Sequence, residues 1–419
     1  MRNLLFLTSS YPYYPGEYFV ENEIPYLAEA FDTVYVVPLG GDDTLPPRQV
    51  PANVVVVEEL RNMRRKANRT LPSRIASRTV ALKRATRAIR AESVARNKAL
   101  LRKPGALPML LRASSAAGQI APVIGELIIR HRPSVVYSYW LYTEALAASL
   151  ALDELGRPPP LVARCHRFDL YEEESPLNYC PFQHYLLSRL DAVLPVSNHG
   201  TQYLKRKYEA SANAELRTFR LGVHGGTGAA PSGDGVARIA SCSSLRPVKR
   251  VHLIAQALRH VDFPVSWTHI GDGPQMVSLK ELASRVEREK SNVHIHFKGE
   301  IPNSEVLGYY DSNPVDVFLN VSSSEGIPVS IMEASSRGIP TIATDVGGTS
   351  ELVDYHNGRG LLSRDVTAEG IAQKLKTFLE APDDEKRSMR RACRGRWEAD
   401  FNAEKNYRDF CHYLHSLIG

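Results

Sequence analysis

The stretch Ser322-Ser323-Ser324-Glu325-Gly326-Ile327-Pro328-Val329-Ser330-Ile331-Met332-Glu333 decides how this 419-residue chain is read. It sets two carboxylates eight positions apart around a predicted helix start. The apolar run ahead of it, 316–321, reads as a strand. Behind it, Gly338-Ile339-Pro340 stops the helix and Thr341-Ile342-Ala343-Thr344 reads as a second strand. A strand, a Ser/Gly loop and a helix N-terminus together hold anions, through backbone N–H groups and the helix dipole. Carboxylates would repel such an anion, but they accept charge-assisted hydrogen bonds from the hydroxyls of a polyol. A ligand with both kinds of group is a sugar nucleotide.

Outward from this stretch, strands and helices alternate. In the C-terminal half, strands are predicted at 238–241, 265–270, 294–298, 315–321 and 340–344, with helices at 251–259, 275–288, 304–311, 329–337 and 367–379. The N-terminal half repeats the alternation, with strands at 3–8, 33–38, 54–57, 135–139, 161–165 and 192–196. Between the halves, 222–235 holds six Gly, one Pro and one Ser in 14 residues, a linker composition. The expectation is an α/β chain of two Rossmann-like, doubly wound domains facing each other across a cleft. Their limits are 1–221 for the acceptor-side domain and 236–382 for the nucleotide-sugar domain. The helical segment 383–419 is expected to pack back on the first domain.

No run reaches the roughly 18 apolar residues of a membrane span, and Met1–Leu7 reads as a first strand rather than a signal peptide. Five scattered cysteines without metal spacing fit a reducing compartment, so a cytoplasmic protein is expected. Charge is uneven. Residues 61–103 carry fifteen Lys or Arg against Glu92 alone, a local +14, so the remainder holds −8 of the formal net +6. This basic helical insertion shows a partial apolar period through Ile75, Leu82, Ile89 and Val94. It suits an anionic membrane surface, at the inner face of the cytoplasmic membrane. A solvated arginine-rich helix is the plainer reading. Nucleic acid finds no recognisable binding module and is not expected as a partner.

The run Glu325…Glu333 followed by Gly338-Ile339-Pro340-Thr341-Ile342-Ala343-Thr344-Asp345-Val346-Gly347-Gly348 resembles the E-x7-E signature of the retaining GT-B glycosyltransferases of family four, similar to those of bacterial polysaccharide biosynthesis. Ser241–Arg250 resembles that family's phosphate-reading loop and Gly271-Asp272-Gly273-Pro274 its Gly-Asp-Gly turn. In the N-terminal half the resemblance rests on Gly16, His166 and Pro195-Val196-Ser197.

The resemblance implies roles. Glu333 would hold the donor ribose and Glu325 the hydroxyls of the transferred sugar. The amides of Gly326, Ile327 and Val329 would meet sugar and distal phosphate, and Lys249 would neutralise the pyrophosphate as it departs. Gly271, Asp272, Gly273 and the loop with Ile301 would shape the donor pocket. His166, Glu325 and Lys249 are the catalytic candidates. Ser244 stands where the family places an Arg, leaving Arg246 or Arg250 to substitute, and Pro328 stands where Gly is usual. His166 also reads as a structural histidine, and Gly16 as a turn glycine instead of a point of close approach to substrate. No Asp-x-Asp occurs, so no metal and no cofactor is expected beyond a UDP- or GDP-sugar substrate. The implied activity is transfer of a sugar to a saccharide or lipid-linked acceptor. A nucleotide-sugar epimerase and a non-catalytic sugar-nucleotide-binding subunit of an assembly complex are the alternatives.

Overall fold

The computed structural model describes residues 2–14, 16–42, 45–67, 79–95, 105–175, 177–208, 212–353 and 360–418. The chain divides into two compact units, 1–220 with 407–419, and 221–406. Each is built on one parallel sheet. Unit 1 holds β1 (Asn3–Thr8), β2 (Thr33–Pro38), β3 (Val54–Val56), β4 (Val135–Ser138), β5 (Leu161–Cys165), β6 (Ala192–Pro195) and β7 (Glu215–Leu216). Their order is β3-β2-β1-β4-β5-β6-β7. Unit 2 holds β8 (Ala237–Cys242), β9 (Val265–Ile270), β10 (Val293–Phe297), β11 (Val317–Asn320), β12 (Thr341–Thr344) and β13 (Leu361–Leu362), in the order β10-β9-β8-β11-β12-β13. Counted from its own first strand, each sheet runs 3-2-1-4-5-6, the doubly wound Rossmann order, and unit 1 adds β7 as a seventh strand at the edge. That order reverses between β1 and β4 in unit 1, and between β8 and β11 in unit 2. Loops leaving the carboxyl ends of those strands therefore border the ligand crevice of each unit.

The strands read as near-continuous apolar runs because helices cover both faces. Leu4, Leu5, Phe6 and Leu7 of β1 are fully buried, each contributing about 1.5–3 kcal/mol by leaving water. The helices are α1 (Val20–Ala30), α2 (Glu59–Ala67), α3 (Thr86–Ala95), α4 (Ala106–His131), α5 (Thr143–Leu152), α6 (Gln183–Arg189) and α7 (Asn198–Tyr208) in unit 1. Unit 2 adds α8 (His252–Ala257), α9 (Met276–Glu289), α10 (Asn303–Ser312), α11 (Val329–Ser335), α12 (Thr349–Val353), α13 (Ala368–Leu379) and α14 (Asp383–Asp400). The last helix, α15 (Ala403–Ser416), starts in unit 2 and ends in unit 1.

Unit 1 encloses a buried polar cluster. Arg164 on β5 donates to the Tyr137 hydroxyl at 2.7 Å and to the Phe219 carbonyl at 2.7 Å, and lies 3.4 Å from Glu23 of α1. Its guanidinium sits 4.2 Å from the ring centroid of Phe410, near the end of the chain. Arg164 and Glu23 are both fully buried. Losing either partner would strand the other charge, at about 3–5 kcal/mol.

Three sequence expectations change. Segment 383–419 does not act as one piece. Helix α14 belongs wholly to unit 2, and only residues from Tyr407 onward join unit 1. There Phe410 and Tyr413 pack on Phe219.

The Gly-rich stretch 222–235 is not a free linker over its first half. A Cβ on Gly222 would stand 2.4 Å from the Ala403 backbone, one on Gly225 2.6 Å from the Trp397 ring, and one on Gly228 2.4 Å from the Arg337 carbonyl. Glycine is required because the strap lies directly on unit 2. Composition alone cannot separate that cause from flexibility. Only Gly233 and Gly235 have open space around them.

The basic segment also differs. Residues 68–78 and 96–104 lie outside the described residues, and Ile75 with them. In the described part the buried face is Ala81, Ala85, Ala88 and Glu92, whereas Val94 is exposed. Ala81 packs so tightly on α4 that a Cβ on Gly118 would lie 2.3 Å from its carbonyl oxygen. A face of alanines turned inward overrides the weaker Leu82/Ile89/Val94 period. Among the described residues no helix is long and apolar enough to cross a membrane.

Candidate functional site

In unit 2, three loops meet at the carboxyl ends of β8, β9 and β11. The turn after β9 crosses the loop after β8 at backbone contact distance. A Cβ on Gly271 would lie 2.0 Å from the Ser243 oxygen, and one on Gly273 2.8 Å from the Leu245 backbone. Both glycines have positive φ, 130° and 155°. The Leu245 amide donates to the Asp272 carbonyl at 2.9 Å, and the Gly271 amide to that of Gly299 at 2.8 Å. Gly347 makes an equally close approach from the other side. Its φ is 56°, and a Cβ there would sit 1.9 Å from the Glu325 carbonyl oxygen. The Gly348 amide closes this turn on the Gly326 carbonyl at 2.8 Å. The loop with Glu325 and Gly326 is thereby fixed from below, and Ile327, Pro328 and Val329 lead into α11.

Lys249 Nζ donates to Glu325 Oε1 at 2.6 Å, with Glu325 buried and Lys249 partly exposed. Burial alone would raise the Glu325 carboxyl. The Lys249 charge, with hydrogen bonds from Lys249, Ser322 and Asn320, outweighs it and holds the carboxyl below the ordinary glutamate range. Glu325 is therefore ionised near neutrality. Glu333, on α11, goes the opposite way: burial pushes it up to about 7, against the hydrogen bond from Asn303 and the charge of Arg337. Asn303 Nδ2 donates to Glu333 Oε1 at 2.6 Å from the start of α10. Half-buried Ile301 lies two residues before Asn303, in the same loop. The Cys242 thiol at the end of β8 is driven up by burial and by Glu333, and opposed by Lys249. It therefore feels both halves of the site.

The charge missing at Ser244 has one candidate fewer than the sequence offered. Arg250 donates to the Val321 carbonyl at 2.8 Å and the Ser322 carbonyl at 3.2 Å, tying down the strand end before Glu325. Its guanidinium is committed to that loop's backbone. Ser244 and Arg246 are both exposed on the loop after β8. Pro328 stands just before α11, where a missing N–H is tolerated, and its carbonyl accepts from the Ile331 amide at 3.1 Å.

In unit 1, His166 follows β5. Its ring lies among Trp140, Tyr139 and Phe19, at centroid distances of 4.4, 4.8 and 5.9 Å. Burial and the charge of Arg164 hold its pKa well below the usual histidine value, so it is neutral. Both ring nitrogens are buried without a hydrogen-bond partner among the described residues. Asp169 accepts from the His166 amide at 2.8 Å and the Leu141 amide at 2.9 Å, joining the loops after β5 and β4. Gly16 has φ 92° with nothing within 4 Å of a Cβ, so backbone conformation alone calls for glycine there. Asp169 and Asn303 escaped the sequence reading because only tertiary contacts reveal them.

Residues 230–396 match the family model of the glycosyl transferases, group 1. The chain is a glycosyltransferase, and the match spans 167 of its 419 residues, all of them in unit 2. This glycosyltransferase is 26% identical over 329 residues to the putative colanic acid biosynthesis glycosyltransferase WcaL of Escherichia coli K12, covering 76% of this chain and 77% of that one. Over 106 residues it is 38% identical to the O-antigen biosynthesis glycosyltransferase WbnH of Escherichia coli, 25% of this chain and 27% of the relative. Among solved structures it resembles HepE of Anabaena, determined with UDP and glucose. The TM-score is 0.65 and identity 17%, over 99% of this chain and 100% of that one. That likeness carries the fold, the GT-B architecture of two Rossmann-type domains.

Proposed function

We propose that this glycosyltransferase moves a sugar from a nucleoside-diphosphate donor, with retention at the anomeric carbon, onto a saccharide or lipid-linked saccharide during synthesis of bacterial surface polysaccharide. The carrying observation is the Lys249–Glu325 pair at the carboxyl ends of β8 and β11. It sets a cation for a diphosphate beside an ionised carboxylate for sugar hydroxyls. Glu333, with Asn303 beside it, would take the ribose. The glycosidic bond to the diphosphate breaks as the bond to the acceptor oxygen forms on the same face, and the acceptor proton passes to the departing diphosphate. Lys249 and exposed Arg246 would stabilise that leaving group without a metal. The relatives' names in colanic acid and O-antigen synthesis support the polysaccharide setting, and the UDP and glucose held by HepE support a UDP-sugar.

The test is a thermal-shift screen of UDP-, GDP- and ADP-sugars, followed by turnover with and without EDTA and NMR of the product's anomeric proton. No donor stabilising the protein, an inverted product, or loss of turnover in EDTA would each overturn the corresponding part.

We further propose a peripheral place on an anionic membrane. Lys83, Arg87 and Arg90 are exposed while the alanine face beside them is packed inward, which favours electrostatic contact over insertion. Substituting these three by Gln should weaken co-sedimentation with phosphatidylglycerol vesicles at low salt. Unchanged co-sedimentation would refute it.

A further inference from the structure

Glu17 is 5% exposed, and its carboxylate sits at the carboxyl end of β1, the place where a doubly wound sheet offers successive amides to a phosphate. Its Oε1 accepts from the Ser9 amide at 2.9 Å, and its Oε2 from the amides of Ser10 and Tyr11, both at 2.6 Å. The Ser10 hydroxyl adds a bond at 3.1 Å. The indole Nε1–H of Trp140 completes the set at 2.7 Å on Oε1. All five partners are donors, so the group serves purely as an acceptor, as a bound anion would. Bringing it there uses two consecutive positive φ values, 92° at Gly16 and 53° at Glu17, the second rarely adopted by an L side chain.

We infer that Glu17 is an internal anion: it fills the amide nest of unit 1 and positions Trp140, whose ring packs 4.4 Å from that of His166 and 4.8 Å from half-exposed Phe168. Two consequences follow from this occupancy. The two units share one strand order, yet the first β-turn of unit 1 is already charged and closed, whereas the corresponding loop of unit 2 carries Lys249. A donor phosphate is thus directed to unit 2 alone. The loops after β1 and β4 are also locked together by one carboxylate, so the aromatic floor under His166 is set by Glu17, a positioning residue. The inference rests on the reading of unit 1 as the acceptor side.

The experiment compares Glu17→Ala, Glu17→Gln and the wild-type chain, with 15N-labelled indoles and steady-state kinetics. Trp140→Phe assigns the Trp140 indole resonance among the three tryptophans. Glu17→Ala should shift that resonance, leave donor affinity unchanged, and lower kcat/KM for the acceptor roughly ten- to hundredfold. Sodium acetate, against sodium chloride at equal ionic strength, should restore resonance and rate saturably. Glu17→Gln fills the same volume but turns an amide N–H₂ on N–H donors. It should be impaired and insensitive to acetate, which covers the case in which Glu17→Ala fails to fold. An unmoved indole resonance in Glu17→Gln, or no acetate effect in a folded Glu17→Ala, would overturn the inference. The resonance is read without turnover, so failure of the transfer reading would leave a different pattern, an acetate-restored indole signal with no product.

Discussion

Lys249 Nζ lies 2.6 Å from Glu325 Oε1, so the cation and the carboxylate of the donor loop are held against each other. A diphosphate entering there competes with Glu325 for the lysine, and a sugar hydroxyl competes with Lys249 for the carboxylate. Lys249 keeps Glu325 in its charged form. Lys249→Met should therefore lower kcat by about 10²–10³, the scale for one lost electrostatic stabiliser. It should also raise the pH at which the acid limb of the rate profile falls. Glu325→Gln should lose turnover while still binding donor in a thermal-shift assay. Unchanged kcat in Lys249→Met would remove the lysine from the mechanism.

Glu333 responds to pH in the other direction. Its folded-state carboxyl titrates at about 7, above the ordinary value, so the folded chain binds the extra proton. Its contribution to stability accordingly falls as pH rises from the unfolded value toward 7. Donor affinity should move oppositely, since the ionised form accepts from ribose, with weakening of up to about tenfold per pH unit below 7. Glu333→Gln should flatten both profiles. Calorimetric melting and donor titrations at pH 5.5, 6.5 and 7.5 check this, and a wild-type affinity independent of pH would count against it.

Gly347 fixes Glu325 by close approach, with no room for a Cβ 1.9 Å from its carbonyl oxygen. Gly347→Ala should destabilise unit 2 by about 1–3 kcal/mol, through the positive φ. It should also abolish donor-induced stabilisation by shifting the Glu325 loop. Differential scanning calorimetry with and without donor separates the two effects.

The Gly-rich strap yields a position-dependent stability prediction. Gly222→Ala meets the Ala403 backbone and should cost roughly 2 kcal/mol or more, since overpacking and backbone displacement add. Gly235→Ala meets nothing within 4 Å and carries only the penalty of its φ of 80°, about 1 kcal/mol. Equal melting temperatures for the two variants would restore the reading of 222–235 as a uniform linker.

Much of this architecture was legible because parallel strands buried on both faces read as apolar runs, as in Leu4–Leu7 and Val317–Leu319. The E-x7-E spacing located α11 and the loop before it. Three kinds of feature were not legible. Short edge strands such as Glu215–Leu216 and Leu361–Leu362 carry too few residues to show a pattern. Glycines of the strap are needed for contacts with Trp397 and Ala403, some 170–180 positions away. Glu17 and Asp169 act on backbone amides, which leave no mark on residue type at the receiving end. Arg250 shows the same limit from the donor side: its charge suggested a phosphate, and its hydrogen bonds go to two carbonyls.

The placement of Phe410 on Arg164 and Phe219 bears on the order in which the chain can be made. Unit 1 is interrupted by the 186 residues of 221–406 and completed only by 407–419. At ~5–20 residues per second, the ribosome spends about 10–40 s on that intervening stretch. Throughout that interval the nascent sheet of unit 1 shows an apolar seat at Phe219 and a guanidinium at Arg164 without its aromatic cover. Synthesis of residues 407–419 is the event that finishes unit 1.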